Sequence, residues 1–270
     1  MTAAPAGDVA VRAGSLRQLE LLITRRLDGL LSGDHTGLVP GVGTEPAGGR
    51  PYEVGDDVRR MDWNLTARLH GPHVRTTVAD RELETWLLVD RTASLDFGTA
   101  GCEKRDLARA AVAAFGFLTV RHGNRVAAVL HGAEGTTIRA PRSGRDAVLG
   151  LLHHLEALPR AGEGTAALAE GLRRLRLAAR RRGLVVVVTD LLDGGPWARE
   201  LRTLAARHDV VVAEVRDPRE AELPPVGLLT LVDPETGRRL EVQTDSPRLR
   251  ARFAEAAARR QAASARAVRA

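Results

Sequence analysis

Leu184-Val185-Val186-Val187-Val188 is an uninterrupted apolar run, bounded by Gly183 on one side and Thr189-Asp190 on the other. Successive side chains of a strand point to opposite faces, so a run without alternation must be covered on both. Parallel sheets with helices above and below meet that demand. The neighbouring segments supply the cover. Residues 84–89 and 125–130 read as strands, 104–121 as a helix rich in Ala and Leu, and 136–140 as a short hairpin strand. Residues 143–158 and 165–182 read as helices, 196–207 as a helix with proline in its first turn, and 209–215 as a further apolar strand. Repeated strand-helix-strand units imply right-handed crossovers. They predict an α/β fold, a doubly wound, mostly parallel sheet flanked by helices. Aromatic residues are only 3% of the chain, so the core rests on Leu, Val and Ala, which suits this architecture better than an aromatic-rich sandwich.

The flanks differ in character. Residues 15–31 carry apolar side chains at helical spacing, with Ser15 and Gln18 as a capping box, and Gly33 is a natural stop. Residues 33–49 are glycine-rich and read as an irregular excursion. Gly41-Val42-Gly43 lies within it, but no strand precedes it and Pro46 would break a following helix, so a dinucleotide loop is rejected. Residues 228–232 and 239–242, joined by Asp233-Pro234-Glu235-Thr236-Gly237, predict a hairpin at the periphery of the sheet. A basic, Ala-rich helix is expected over 247–260 and a frayed tail over 261–270.

Cys102 is the only cysteine, which excludes an intramolecular disulfide, argues against a thiolate metal site and fits a reducing compartment. The first residues, MTAAPAGDVA, lack a basic segment followed by an apolar core. No run approaches the roughly 20 apolar residues of a membrane helix. The expected address is the cytoplasm, without membrane attachment. The net charge of +6 raises the question of nucleic acid, but basic residues are spread along the whole chain. Lys104 is the only lysine; near-total use of arginine beside abundant Ala and Gly resembles the codon bias of a GC-rich genome more than selection for phosphate contacts.

The chemistry concentrates after the strand 84–89. Asp90-Arg91-Thr92-Ala93-Ser94 sets one carboxylate and two hydroxyls at alternate positions on the loop leaving a buried strand. Ligands of open α/β sheets bind beyond the carboxyl ends of the strands, and Mg²⁺ takes a few oxygen ligands in octahedral geometry. If the strand ending at Val188 lies beside the one ending at Val89, Asp190 emerges at the same edge. Thr165, preceded by Gly162-Glu163-Gly164 and expected to start a helix, adds a hydroxyl from a third loop. The candidate metal ligands are therefore Asp90, Thr92, Ser94, Thr165 and Asp190. All are oxygen donors, which points to Mg²⁺ or Mn²⁺ over zinc. Taken singly, each residue is also ordinary helix-cap chemistry; the coincidence of three loops favours a site.

Asp90-x-Thr92-x-Ser94 with Thr165 and Asp190 resembles the metal-ion-dependent adhesion site of von Willebrand factor A domains. Residues 50–245 are similar to the bacterial domain of unknown function family 58. The most specific stretch is Arg50-Pro51-Tyr52-Glu53-Val54-Gly55-Asp56-Asp57-Val58-Arg59-Arg60-Met61-Asp62-Trp63-Asn64-Leu65-Thr66-Ala67-Arg68, which resembles that family's Y-x-x-G-D-D-x-R-x-I-D-W-x-x-T-A-R hallmark. Asp217-Pro218-Arg219-Glu220, Leu223-Pro224 and Asp233-Pro234-Glu235-Thr236-Gly237 look like its ending. The resemblance implies three parts: an N-terminal helix and hallmark segment over 1–83, a von Willebrand factor A-like domain over 84–245, and a C-terminal basic helix and tail over 246–270. It also implies a non-enzymatic, metal-dependent protein-binding module that works with a MoxR-type AAA+ ATPase on a client protein, in maturing or remodelling a complex.

Thr92 stands where that motif usually has serine and keeps the hydroxyl. Arg91 is the misfit, since a cation beside the metal weakens binding unless it turns away or pairs with an acid such as Asp96. The density of Asp and Arg in the hallmark segment reads as paired charges and turn or cap chemistry anchoring the N-terminal part. His153-His154 faces two directions on a helix and makes a poor chelate. Cys102 has no base or resolving thiol in the sequence near it. Arg180-Arg181-Arg182 solvates a helix end. Two other classes stay in play: a metal-dependent phosphohydrolase, against which Thr92 stands where an aspartyl phosphatase has its second carboxylate, and a nucleic-acid-binding protein.

Overall fold

The computed structural model describes residues 45–69, 71–78, 83–121, 123–162 and 164–270. The helix expected over 15–31, the segment 33–44 with Gly41-Val42-Gly43, and His122 and Glu163 lie outside the described residues. Of those described, 45–78 belong to one compact unit and 83–270 to another.

In the first unit β1 (Glu45–Pro51) pairs antiparallel with β2 (His73–Val78), and the short helix α1 (Trp63–Leu69) lies between them in sequence. The acids of the hallmark segment hold its turns. Asp56 takes Arg50 through both oxygens, at 2.8 and 2.5 Å, and also accepts from Glu53 N at 2.9 Å. Asp57 caps a short 3-10 turn through Arg59 N, and Asp62 accepts from Leu65 N in the first turn of α1. Gly55, just before Asp56, has φ +113°, a conformation L side chains rarely adopt.

The second unit runs β3 (Glu84–Asp90), α2 (Lys104–Arg121), β4 (Arg125–Gly132), β5 (Gly135–Arg142), α3 (Arg145–Ala157), α4 (Leu168–Ala178), β6 (Leu184–Thr189), α5 (Trp197–Ala205), β7 (Asp209–Glu214), β8 (Leu228–Val232), β9 (Arg239–Gln243) and α6 (Pro247–Arg269). Five strands form one sheet in the order β5-β4-β3-β6-β7, parallel except for β5. This is the doubly wound α/β arrangement the sequence implied. Every residue of β3 and β6 is buried, as an unalternating run requires. On one face Trp86, Leu88, Val185 and Val187 join Leu172 and Leu175 of α4 and Leu201 and Leu204 of α5 in a single core cluster. The alternate residues Leu87, Val89, Val186 and Val188 are buried on the other face, where α2 and α3 pack. Burying each such side chain contributes about 1.5–3 kcal/mol.

The hairpin expected over 228–232 and 239–242 forms as β8 and β9, a two-stranded sheet of its own. Two expectations need correction. The tail expected to fray over 261–270 continues α6 to Arg269, because Ala267 and Val268 pack against the core cluster and recover the ordering cost of the last turns. The helix expected over 165–182 spans only Leu168–Ala178. Among the described residues, no helix is long and apolar enough to cross a membrane.

Gly150 is an exposed position inside α3, and a Cβ there meets nothing within 4 Å. Gly150→Ala is expected to stabilise the protein by about 0.5–1 kcal/mol, read as a rise in the urea midpoint at unchanged m-value.

Candidate metal centre

Strands β3 and β6 are neighbours with Val89 opposite Val188, so Asp90 and Asp190 leave the sheet side by side. From β3 the chain winds outward to β4 on one side and later to β6 on the other. The crevice between β3 and β6 is therefore the switch point of the sheet, where open α/β folds place their ligands.

A hydrogen-bonded ladder spans this crevice. Asp90 Oδ1 accepts from Thr92 N and Thr92 Oγ1, both at 2.9 Å, and Asp90 Oδ2 accepts from Thr189 Oγ1 at 2.7 Å. Thr92 Oγ1 lies 3.0 Å from Ser94 Oγ, which donates to Asp190 Oδ2 at 2.7 Å. Asp90, Thr92, Ser94 and Asp190 are all buried. Burial first, then repulsion from Asp190, pushes the Asp90 carboxyl above its ordinary value, against the hydrogen bonds from Thr189 and Thr92. No ion pair reaches Asp90 among the described residues. The loop behind Asp190 is held in an uncommon shape: Leu191 has φ 54°, strained for a branched side chain, and is kept there by its burial in the core cluster and by Leu191 N donating to Thr189 Oγ1 at 3.2 Å.

Thr165 stands apart. It does not start a helix: α4 begins at Leu168, whose N–H is capped at 2.8 Å by Asp193 Oδ2 from the loop after β6. A cap delivered from another loop leaves no signal in the local sequence. Thr165 is exposed on the connecting segment, and no hydrogen bond joins it to the other four candidates among the described residues. Arg91 turns away from the site. Its guanidinium donates to the Pro159 carbonyl at 3.0 Å and pairs with Glu134 at 3.5 Å, while Asp96, its expected partner, pairs with Arg105 at 3.1 Å.

Two residues escaped the sequence reading. Lys104 is 1% exposed; its ammonium lies 2.8 Å from Asp190 Oδ2 and also pairs with Glu220. The only detectable signal was its singularity in a chain that otherwise uses arginine. Glu235, in the turn between β8 and β9, accepts from Gly164 N through its carbonyl at 3.0 Å. Burial lifts its carboxyl above the ordinary value, and repulsion from Asp90 and Asp190 adds to that, so the hairpin tip adds negative charge to this edge.

The residues fit a hard cation. A buried carboxylate without a basic partner, flanked by the hydroxyls of Thr92, Ser94 and Thr189, is a set for which a small oxygen-seeking ion supplies the missing charge. Among the described residues no group of three or more His, Cys, Asp or Glu side chains could hold a metal.

The strand order defines the class as a doubly wound α/β protein, with a buried crevice of acids and hydroxyls at the carboxyl edge of its sheet. The chain belongs to the family described as Protein of unknown function DUF58, whose model matches residues 48–263. It is 50% identical over 258 residues to Uncharacterized protein Rv1480 of Mycobacterium tuberculosis, covering 95% of this chain and 81% of that one. Among solved structures it is similar to an aerotolerance-related membrane protein from Bacteroides fragilis, at 13% identity and TM-score 0.44 over 66% of this chain and 87% of that one. Likeness to BatB from Bacteroides thetaiotaomicron is 15% identity at TM-score 0.42, over 64% and 85%. At these scores the fold stands on the strand order described above.

Proposed function

We propose that the protein is a non-enzymatic, metal-dependent protein-binding module that partners a MoxR-type AAA+ ATPase in maturing or remodelling a client complex. The observation that supports it most is Asp90, a buried carboxylate bonded to hydroxyls and an amide, with its charge unmatched by any ion pair among the described residues. Asp90, Thr92 and Ser94 are the residues to touch Mg²⁺ or Mn²⁺. Asp190 adds negative charge behind Ser94, and Thr165 on its loop is the fifth member of the set. The ion, when bound, supplies an electrophilic position for a carboxylate oxygen of the partner. Thr189 and Thr92 orient Asp90 by donating to opposite oxygens, and Arg91 is drawn off to Pro159 and Glu134, so its own charge does not compete with the ion. Phosphohydrolase chemistry finds less support, because the acid-base position two residues after Asp90 holds a threonine.

The test is capture of a MoxR-type AAA+ ATPase by the full chain. Capture is expected with Mg²⁺ and is expected to fall at least about tenfold with EDTA or with Asp90→Ala, as loss of a metal-bridged carboxylate contact requires. Equal capture under all three conditions would sink the reading.

A further inference from the structure

Lys104 is the single lysine of the chain, and it sits in an electrostatically awkward place. It is the first residue of α2, where the partial positive charge of the helix end repels an ammonium. Two carboxylates hold it there. One is Asp190, at 2.8 Å from the loop after β6; the other is Glu220, on the short 3-10 turn Pro218–Glu220 that follows β7. That turn is tied down in its turn by Asp217, which accepts from Thr99 N and Thr99 Oγ1 at 2.6 Å each. A compact ammonium on a flexible stem suits a pocket between two acids and a helix end; a planar arginine fork does not.

The acceptor atoms are unevenly provided for. Asp190 Oδ2 receives both Lys104 Nζ and Ser94 Oγ, and Asp190 Oδ1 receives Leu192 N at 3.1 Å. Asp90, on the other side of the same ladder, receives only hydroxyls and an amide. We infer that Lys104 is a resident cation of the metal centre, which keeps Asp190 out of direct metal contact and confines a divalent ion to the Asp90, Thr92 and Ser94 side. A fixed positive charge this close repels a dication, so Lys104 sets the site to weak, readily reversible divalent binding. Metal occupancy, and with it capture of the acidic partner, then follows the free divalent concentration. This inference rests on the metal reading above.

The experiment uses Mn²⁺ as the probe, with binding read by calorimetry and by electron paramagnetic resonance on the full chain. Wild type is compared with Lys104→Met, Lys104→Met/Glu220→Gln and Asp90→Asn. Lys104→Met is expected to bind Mn²⁺ at least about tenfold more tightly than wild type, and its Tm to rise further on Mn²⁺ addition. The double variant removes an otherwise unpaired Glu220 along with the ammonium and is expected to move in the same direction, which keeps the test open if the single variant fails to fold. Asp90→Asn is expected to bind none. If the folded Lys104 variants bind Mn²⁺ no more tightly than a wild type whose binding depends on Asp90, Lys104 is a structural pin and this inference is overturned while the metal reading stands. If no form binds Mn²⁺ through Asp90, the metal reading falls and takes this inference with it.

Discussion

Asp90→Asn is expected to make the metal-free protein more stable, by about 1–3 kcal/mol at neutral pH, while removing its response to divalent cations. The two effects have one origin. Asp90 is buried beside Asp190, and its charge meets hydroxyls and an amide but no base. Asparagine keeps an acceptor for Thr92, can donate to Thr189, and removes the charge. The sign with pH follows from linkage. The folded pKa of Asp90 is raised, so the folded wild type binds the extra proton and its penalty is absent in acid, below the unfolded value near ~4. The penalty grows as pH rises through the interval between the unfolded and folded values and is complete above the latter. The variant therefore gains little at pH 4 and most at pH 8, which urea melts in EDTA at the two pH values measure directly. With Mg²⁺ or Mn²⁺ added, the wild type is expected to gain stability and the variant not. A variant less stable than wild type at pH 8 in EDTA would mean that the hydrogen bonds accepted by the carboxylate outweigh its burial.

Gly183→Ala is expected to cost about 3 kcal/mol, the upper end for overpacking, and to prevent folding if β6 cannot shift. Gly183 stands at the entry to β6, and a Cβ there would lie 2.1 Å from the Glu84 carbonyl oxygen of the adjacent strand β3. The obstacle is backbone, so no rotamer change relieves it. Relief requires moving β6 away from β3, and the two central strands carry the register that sets Asp190 beside Asp90. The substitution should therefore lower both the urea midpoint and any Mn²⁺ affinity, whereas Gly150→Ala raises the midpoint. A Gly183→Ala protein with wild-type stability would mean that the strand entry is far softer than its packing implies.

Much of the fold was legible because burial on two faces leaves a mark in sequence. The unalternating run 184–188 demanded helices on both sides, and α2 emerged over the span its Ala and Leu spacing marked. The failures share a cause. Helix α4 starts at Leu168 rather than Thr165 because Asp193, a residue 25 positions away, caps it. The last turns of α6 stay helical because Ala267 and Val268 find a core built from other elements. Arg91 found Glu134 and Pro159 rather than Asp96 because the turn between β4 and β5 and the loop after α3 come to its side. None of these partners is local.

The same division holds for the candidate site. Local order determined that Asp90, Thr92 and Ser94 leave one strand at alternate positions, since two-residue spacing is a property of the chain itself. Whether Asp190 joined them depended on which strands became neighbours, and only the pairing of β3 with β6 decided that. Lys104 and Glu235 are tertiary facts entirely. One approaches from a helix start and the other from a hairpin tip, and both are drawn into the electrostatics of an edge that no stretch of sequence contains. Sequence specifies which groups a strand presents; the long-range packing of strands, helices and turns specifies which charges must coexist.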